Sequence, residues 1–326
     1  MRTRRSPFSD DPVSSHRSVL LHEAVDSLLL QPDDIVVDAT LGGAGHARVI
    51  AQHLGPAGTL IGFDLDADAI ERAKAALANA SCTVELIEAN FRDIDKELGR
   101  RHIPRITKAL FDLGWSSYQL DSGRGFSIHA NEPLLMTYAK AGVVTARVAV
   151  NEWAEESLAD IIYGFGGERY SRRIAKAIVE YRARRPIETA EQLAEIIWQA
   201  VPGGYRRGKL HPATRTFQAL RMAVNDELGA LTQGIRGAFE MLAPGGRIAV
   251  ITFHSLEDRA VKHLFAGLEK DGRGFRVTKK PMVPTAEELQ ENRRARSAKL
   301  RVFEKSHDQE ITQDKQVQTV PLPGEI

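Results

Sequence analysis

Three aspartates at the ends of apolar runs are the residues of this chain best placed to do chemistry. Asp38 closes Ile35-Val36-Val37, Asp64 closes Leu60-Ile61-Gly62-Phe63, and Asp112 closes Ala109-Leu110-Phe111. Between the first two lies Leu41-Gly42-Gly43-Ala44-Gly45-His46. Such a glycine cluster lets the backbone turn sharply out of a strand and approach a ligand with no Cβ in the way. An amphipathic run follows, with Ala47, Ile50, Ala51 and Leu54 on one face. About twenty residues beyond the glycines, Asp64 stands where a carboxylate accepts hydrogen bonds from ribose hydroxyls. Strand, glycine turn, helix, strand, acid is the layout of a nucleotide-type α/β site.

That layout alone does not choose among NAD, FAD and S-adenosylmethionine. A dinucleotide wants Gly-x-Gly-x-x-Gly, so that a helix N-terminus receives the pyrophosphate. Gly42, Gly43 and Gly45 do not keep that spacing. An acid at Asp38 repels a pyrophosphate but suits a cationic, phosphate-free donor whose ammonium and sulfonium are positive. Spacing therefore favours a methyl donor, although Asp38 could also simply cap the turn after it.

Asp112 opens Asp112-Leu113-Gly114-Trp115-Ser116-Ser117. An exocyclic base amine is a poor nucleophile because its lone pair is delocalised. A carboxylate that accepts its N–H localises that pair and takes the proton afterwards, a role for Asp112 with help from Ser116 or Ser117. Displacement at sulfonium otherwise needs positioning and a desolvated cleft. Alternatively, Asp112 only hydrogen-bonds the cofactor or a backbone amide. His254, in Phe253-His254-Ser255-Leu256-Glu257-Asp258-Arg259, is a candidate proton shuttle or else a structural donor. Arg215 and Arg221 suit phosphate, and Phe217 suits a base. Phe217, Leu220 and Val224 read equally as a core stripe.

With 326 residues and a net charge of +1, the chain is long enough for one large or two moderate domains. Glu23 to Arg100 is acidic, whereas Arg169 to Arg221 and Arg273 to Lys305 are basic, an asymmetry that suits a polyanion on one face. Cys82 stands alone, which excludes an internal disulfide or a thiolate metal cluster and fits the reducing cytoplasm. No metal is expected. No apolar run is long enough to span a bilayer, and no apolar segment backs the basic start as in a secretory signal.

The elements that must hold these residues alternate. Ser18–Leu30 reads as a helix, Ile35–Asp38, Leu60–Asp64, Val84–Ile87 and Ala109–Leu113 as strands, and Asp66–Ala78 and Phe91–Leu98 as helices between them. This rhythm implies an α/β fold, a doubly wound, mostly parallel sheet. From about Gly123 to Leu210 only helices appear, Ser157–Tyr163, Ser171–Arg184 and Thr189–Ile197 among them. One long helix is expected over Thr214–Leu242, then a strand to Phe253. Phe275–Val277 and Lys299–Phe303 read as a final hairpin across the polar, basic stretch Pro281–Ala298. The division expected is a disordered basic tail (1–15), a Rossmann-like domain (16–122 and 213–305), an inserted helical substrate-recognition domain (123–212) and a disordered tail (306–326). Arg172, Arg173, Arg206, Arg207, Lys209, Arg215, Arg294 and Arg296 are the cations expected to meet the polyanion. Monomer and homodimer are both open.

Taken together, His16-x-x-Val19-Leu20-Leu21-x-Glu23, Asp38–His46, Asp112–Asp121, Gly125-Phe126-Ser127, His211–Gln218, Phe253–Arg259 and Ala295–Arg301 closely resemble the bacterial small-subunit ribosomal RNA cytosine-N4 methyltransferases of the MraW type. The resemblance runs from about His16 to Lys305. It implies S-adenosylmethionine as donor, a decoding-centre cytidine of 16S ribosomal RNA within the small ribosomal subunit as acceptor, and a helical insert that helps bind RNA. It maps cofactor contacts onto Ala44, Gly45, His46, Asp64, Phe91, Asp112 and Gln119, to which the loop reading adds Asp38 and Gly42. Pro133-Leu134-Leu135-Met136-Thr137-Tyr138 departs from the usual Pro-Leu-Asp-Met-Arg-Met, losing an acid and an arginine. A ribosome-assembly factor without turnover and an NAD-dependent oxidoreductase are the rival readings.

Overall fold

The computed structural model describes residues 18–114, 123–138 and 144–307. The expected tails, apart from Ser306 and His307, and the stretch 115–122 with its candidates Ser116 and Gln119 lie outside the described residues.

Seven strands build one sheet: β1 (Ile35–Asp38), β2 (Thr59–Asp64), β3 (Thr83–Glu88), β4 (Ile106–Asp112), β5 (Leu242–Thr252), β6 (Gly274–Arg276) and β7 (Lys299–Lys305). Their order is β3-β2-β1-β4-β5-β7-β6. The first five are parallel, while β7 runs antiparallel to both β5 and β6. Strand order reverses at β1, which lies between β2 and β4, so a crevice opens at the carboxyl ends there. Asp38, Asp64 and Asp112 all sit at that edge, Asp38 in register with Gly62 and Leu110. The sheet is the expected doubly wound, Rossmann-like one.

Alternate strand residues enter opposite cores, as the two-residue period requires. Val36, Leu60, Leu110 and Ala249 pack beneath the helices Leu21–Leu28, Gly45–His53 and Ala67–Ala76. Val37, Ile61, Phe111 and Val250 pack against Ile94–Arg100, Glu227–Met241 and Ser255–Lys270. Burial on both faces explains the unbroken apolar runs.

A third core, from Phe126 to Leu220, belongs to the helical block and includes Ile174, Ile178, Leu193 and Ile197. Its helices include Ala146–Glu152, Glu155–Gly164, Ser171–Arg182 and Ala190–Ala200. Thr189 and Gln192 form a reciprocal capping box at the last of these. Among the described residues of this block no strand forms; only the isolated bridge Pro133–Thr189 does.

The single helix expected over Thr214–Leu242 is two, Ala213–Val224 and Glu227–Met241. Asp226 takes a left-handed φ of 47°, which Asp tolerates better than most residues. Asn225 is bound up in the break: its Nδ2 donates to the carbonyls of Met136 and Arg221, and its Oδ1 accepts from the Tyr138 amide. Pro281–Ala298 is also more ordered than its polarity suggests, holding a helix over Ala286–Glu291 and a 3-10 turn over Arg293–Ser297.

Candidate active site

The loop after β1 is shaped by two left-handed residues, Gly42 (φ 49°) and Ala44 (φ 59°), before the Gly45–His53 helix begins. Beneath it Leu41 fills the space over Gly62, where a Cβ would lie 2.5 Å from the Leu41 Cδ2 atom. Asp64 ties the loop to β2: its Oδ2 accepts from the Gly42 amide at 2.9 Å and its Oδ1 from the Asp66 amide at 2.9 Å. Burial raises its pKa and these amides oppose the rise. Each oxygen retains acceptor capacity for a ribose hydroxyl.

Asp38 is 1% exposed. Its Oδ1 accepts from the Thr40 amide at 3.1 Å, so the turn-capping role is real. Its Oδ2 is buried with no hydrogen-bond partner among the described residues. Burial is the main cause that pushes this carboxyl up to about 6, His46 partly opposing it. A buried carboxylate oxygen without a partner is costly, and a cationic ligand group relieves that cost.

His46, on the first turn of the next helix, is also buried, with no hydrogen-bond partner for Nε2 among the described residues and Nδ1 3.5 Å from Asp112 Oδ2. Burial lowers its pKa against the pull of Asp38, which keeps the imidazole neutral at neutral pH. Asp112 is fixed through its backbone, its amide donating to Thr40 Oγ1 at 2.7 Å. Burial lifts its carboxyl to about 7, the Gly114 amide opposing and Glu257 adding to the rise. An acid of that strength is a well-matched proton acceptor near neutrality.

Two depressions meet at Thr40, Gly42, Asp112–Gly114 and Glu257. The smaller, about 120 Å³, is lined by Asp64, Phe91, Tyr138, Asn225 and Leu231, among others. It suits a nucleoside with its base against Phe91, which meets Phe111 edge-on at 5.7 Å. The larger, about 540 Å³, runs from Gly43, Gly45 and His46 to Phe126–His129, Gln218, His254 and Arg294.

His254 caps the Ser255–Lys270 helix in a reciprocal box with Glu257, whose Oε2 accepts from the amides of Phe253 and His254. Its structural role is therefore plain, while its side chain still borders the larger cleft. Glu227, His254 and Glu257 bring one ligand atom each within 4.8 Å of one another. Glu227 is nonetheless engaged by Arg221 at 2.8 and 3.1 Å and by the Tyr138 hydroxyl at 2.7 Å. The cluster braces the cleft through hydrogen bonds.

Sequence reading missed Tyr138, Asn225 and Glu227 because they reach the site only through the helix break; the turn-forming pair Asn225-Asp226 was the available signal. Phe217 is 5% exposed and belongs to the helical core. Arg172, Arg173, Arg207, Lys209, Arg294 and Arg296 are exposed, Arg294 at the cleft itself. Arg206 and Arg215 are half-buried and reach carbonyls, Arg206 those of Val201 and Gln199 and Arg215 that of Gly167. No helix among the described residues is long and apolar enough to cross a membrane.

Residues 13–306 match the MraW methylase family. The ribosomal RNA small subunit methyltransferase H of Brevibacillus brevis is 46% identical over 309 residues, 89% of this chain and 98% of the relative. The protein of the same name from Paenibacillus sp. is 45% identical over 312 residues, 89% of this chain and 99% of its own. A crystal structure of an rRNA methylase from Streptococcus thermophilus aligns with 90% of this chain and 99% of its own, at 16% identity and a TM-score of 0.42. S-adenosylmethionine is the cofactor of such a methylase, and the smaller depression, bordered by Asp64 and Phe91, fits its nucleoside. On the match over residues 13–306 and on relatives at 45–46% identity, the chain belongs to the MraW methylase family.

Proposed function

We propose that this chain methylates the exocyclic N4 of a decoding-centre cytidine in 16S ribosomal RNA, within the small subunit. The reading is supported by the names of its relatives and carried by one observation, the half-buried Asp112 carboxyl at the junction of the two depressions, raised to about 7. When bound, the donor supplies an electrophilic methyl group on a sulfonium. Asp38 holds its ammonium, Asp64 its ribose and Phe91 its adenine, with Gly42, Ala44, Gly45 and Gln119 completing the contacts. Ionised Asp112 accepts the N4–H hydrogen bond and localises the nitrogen lone pair toward the methyl group. As that nitrogen becomes tetrahedral its proton passes to Asp112, which releases it to solvent. Ser116 and His254 assist at the acceptor side.

In this reading the sheet domain (16–122 and 213–305) holds the donor, and the helical insert (123–212) and the exposed arginines hold RNA. Mass spectrometry of ribosomal RNA nucleosides from cells lacking the protein tests it. N4-methylated cytidine should vanish and return with the wild-type chain but not with Asp112→Asn; an unchanged nucleoside profile contradicts it.

A further inference from the structure

A groove of about 1050 Å³ lies between the Ser171–Arg182 and Ala190–Ala200 helices, away from the aspartates. It shares Ile128 and His129 with the reaction cleft, so the two depressions are joined over one wall. A ladder of rings leads from that wall along the groove. His129 meets His211 at 5.8 Å and 71°, and His211 stacks on Trp198 at 5.3 Å and 24°. The Arg206 guanidinium lies 5.8 Å from the Trp198 centroid, fixed by the Gln199 and Val201 carbonyls. His211 accepts from the Ala213 amide, and burial, reinforced by His129, lowers its pKa, so this rung is an uncharged ring.

The groove's two walls differ in charge. The first helix and the turn after it present Arg173, Lys176, Arg184 and Arg185 against one acid, Glu180. The second helix presents Glu191 and Glu195 beside Trp198. Cations on one side suit a phosphate backbone. Carboxylates and rings on the other suit bases, which donate through exocyclic amines and stack through their faces. An acidic peptide would meet repulsion on the second wall.

We infer that this groove is a second RNA subsite, which takes single-stranded nucleotides flanking the target cytidine. The strand leaves the reaction cleft over His129, stacks at least one base against the ladder and runs its phosphates along the Ser171–Arg182 helix. The inference rests on RNA being the substrate, as proposed above, but does not depend on which atom is methylated.

The test is fluorescence anisotropy of a labelled single-stranded oligoribonucleotide carrying the target cytidine and several flanking nucleotides on each side. His129→Ala and Trp198→Leu should each weaken binding about tenfold, and Trp198→Phe, which keeps a stacking ring, should bind like the wild type. All should bind S-adenosylhomocysteine with wild-type affinity, which verifies folding, and a trinucleotide centred on the cytidine should be insensitive to Trp198→Leu. Equal binding of the long oligonucleotide by wild type, His129→Ala and Trp198→Leu overturns the subsite, as does a wild type that binds no RNA. Methyl incorporation by the wild type is read separately. If it fails while binding still depends on Trp198, the subsite stands and the catalytic reading falls.

Discussion

Asp38 and Asp112 are both acids whose burial disfavours charge, yet their tasks differ. The folded protein holds a proton on Asp38 more tightly than the unfolded chain does, about 6 against 3.8. Its contribution to stability is therefore full below 3.8 and is lost as pH rises through about 6. A cationic donor reverses that preference, since it favours the ionised carboxylate. Donor affinity should thus rise severalfold between about pH 5 and pH 7 in calorimetric titrations, and Asp38→Asn should bind weakly with a flattened pH dependence. For Asp112 the expected signature is in rate. Asp112→Asn should slow methyl transfer about a hundredfold or more while changing donor affinity little. The wild-type rate should climb with pH through about 7, where Asp112 ionises, and the variant should lose that rise. Both acids were legible in the sequence because each ends an apolar strand. The His46–Asp112 approach was not, since the two residues are distant in the chain and meet only when β1 and β4 pair.

At the scale of elements, the donor loop is held from below by packing. Gly62 in β2 makes room for Leu41, which is buried and whose amide donates to the Phe63 carbonyl at 3.0 Å. Gly62→Ala should overpack that contact, lowering stability by about 1–3 kcal/mol in chemical denaturation and weakening donor binding as the loop shifts. The helix break has the opposite character, being made by hydrogen bonds. Asn225→Ala removes one donated and one accepted bond that join the break to Met136 and Tyr138, and a second donated bond to the Arg221 carbonyl. It should cost about 1–3 kcal/mol, and donor affinity should fall because Tyr138 and Asn225 border the smaller depression. Strands were the readily legible elements, their apolar runs fixed by burial on two faces. The break was not, because Asp226 adopts its left-handed turn only where Asn225 finds tertiary partners, and the helical period alone runs through it.

Across the whole molecule, two devices meet along one edge: a sheet that ends in acids and a helical block rimmed with arginines. The helical block packs around its own core, from Phe126 to Leu220. Ala213–Val224 contributes Ala213, Phe217 and Leu220 to that core, so this helix also joins the block to the sheet domain. What the pattern of charge could not show was how the cations divide, with Arg206 and Arg215 turned to carbonyls and Arg294 brought to the cleft. The proposed reaction joins both devices, a donor held beside Asp64 and Phe91 and a cytidine presented beside Asp112. It is tested most directly by incubating the purified chain with small ribosomal subunits and methyl-labelled S-adenosylmethionine, then digesting the RNA to nucleosides for mass spectrometry. Label should appear in N4-methylated cytidine with the wild type and be nearly absent with Asp112→Asn. Label on another atom or nucleoside, or none at all with the wild type, would contradict it.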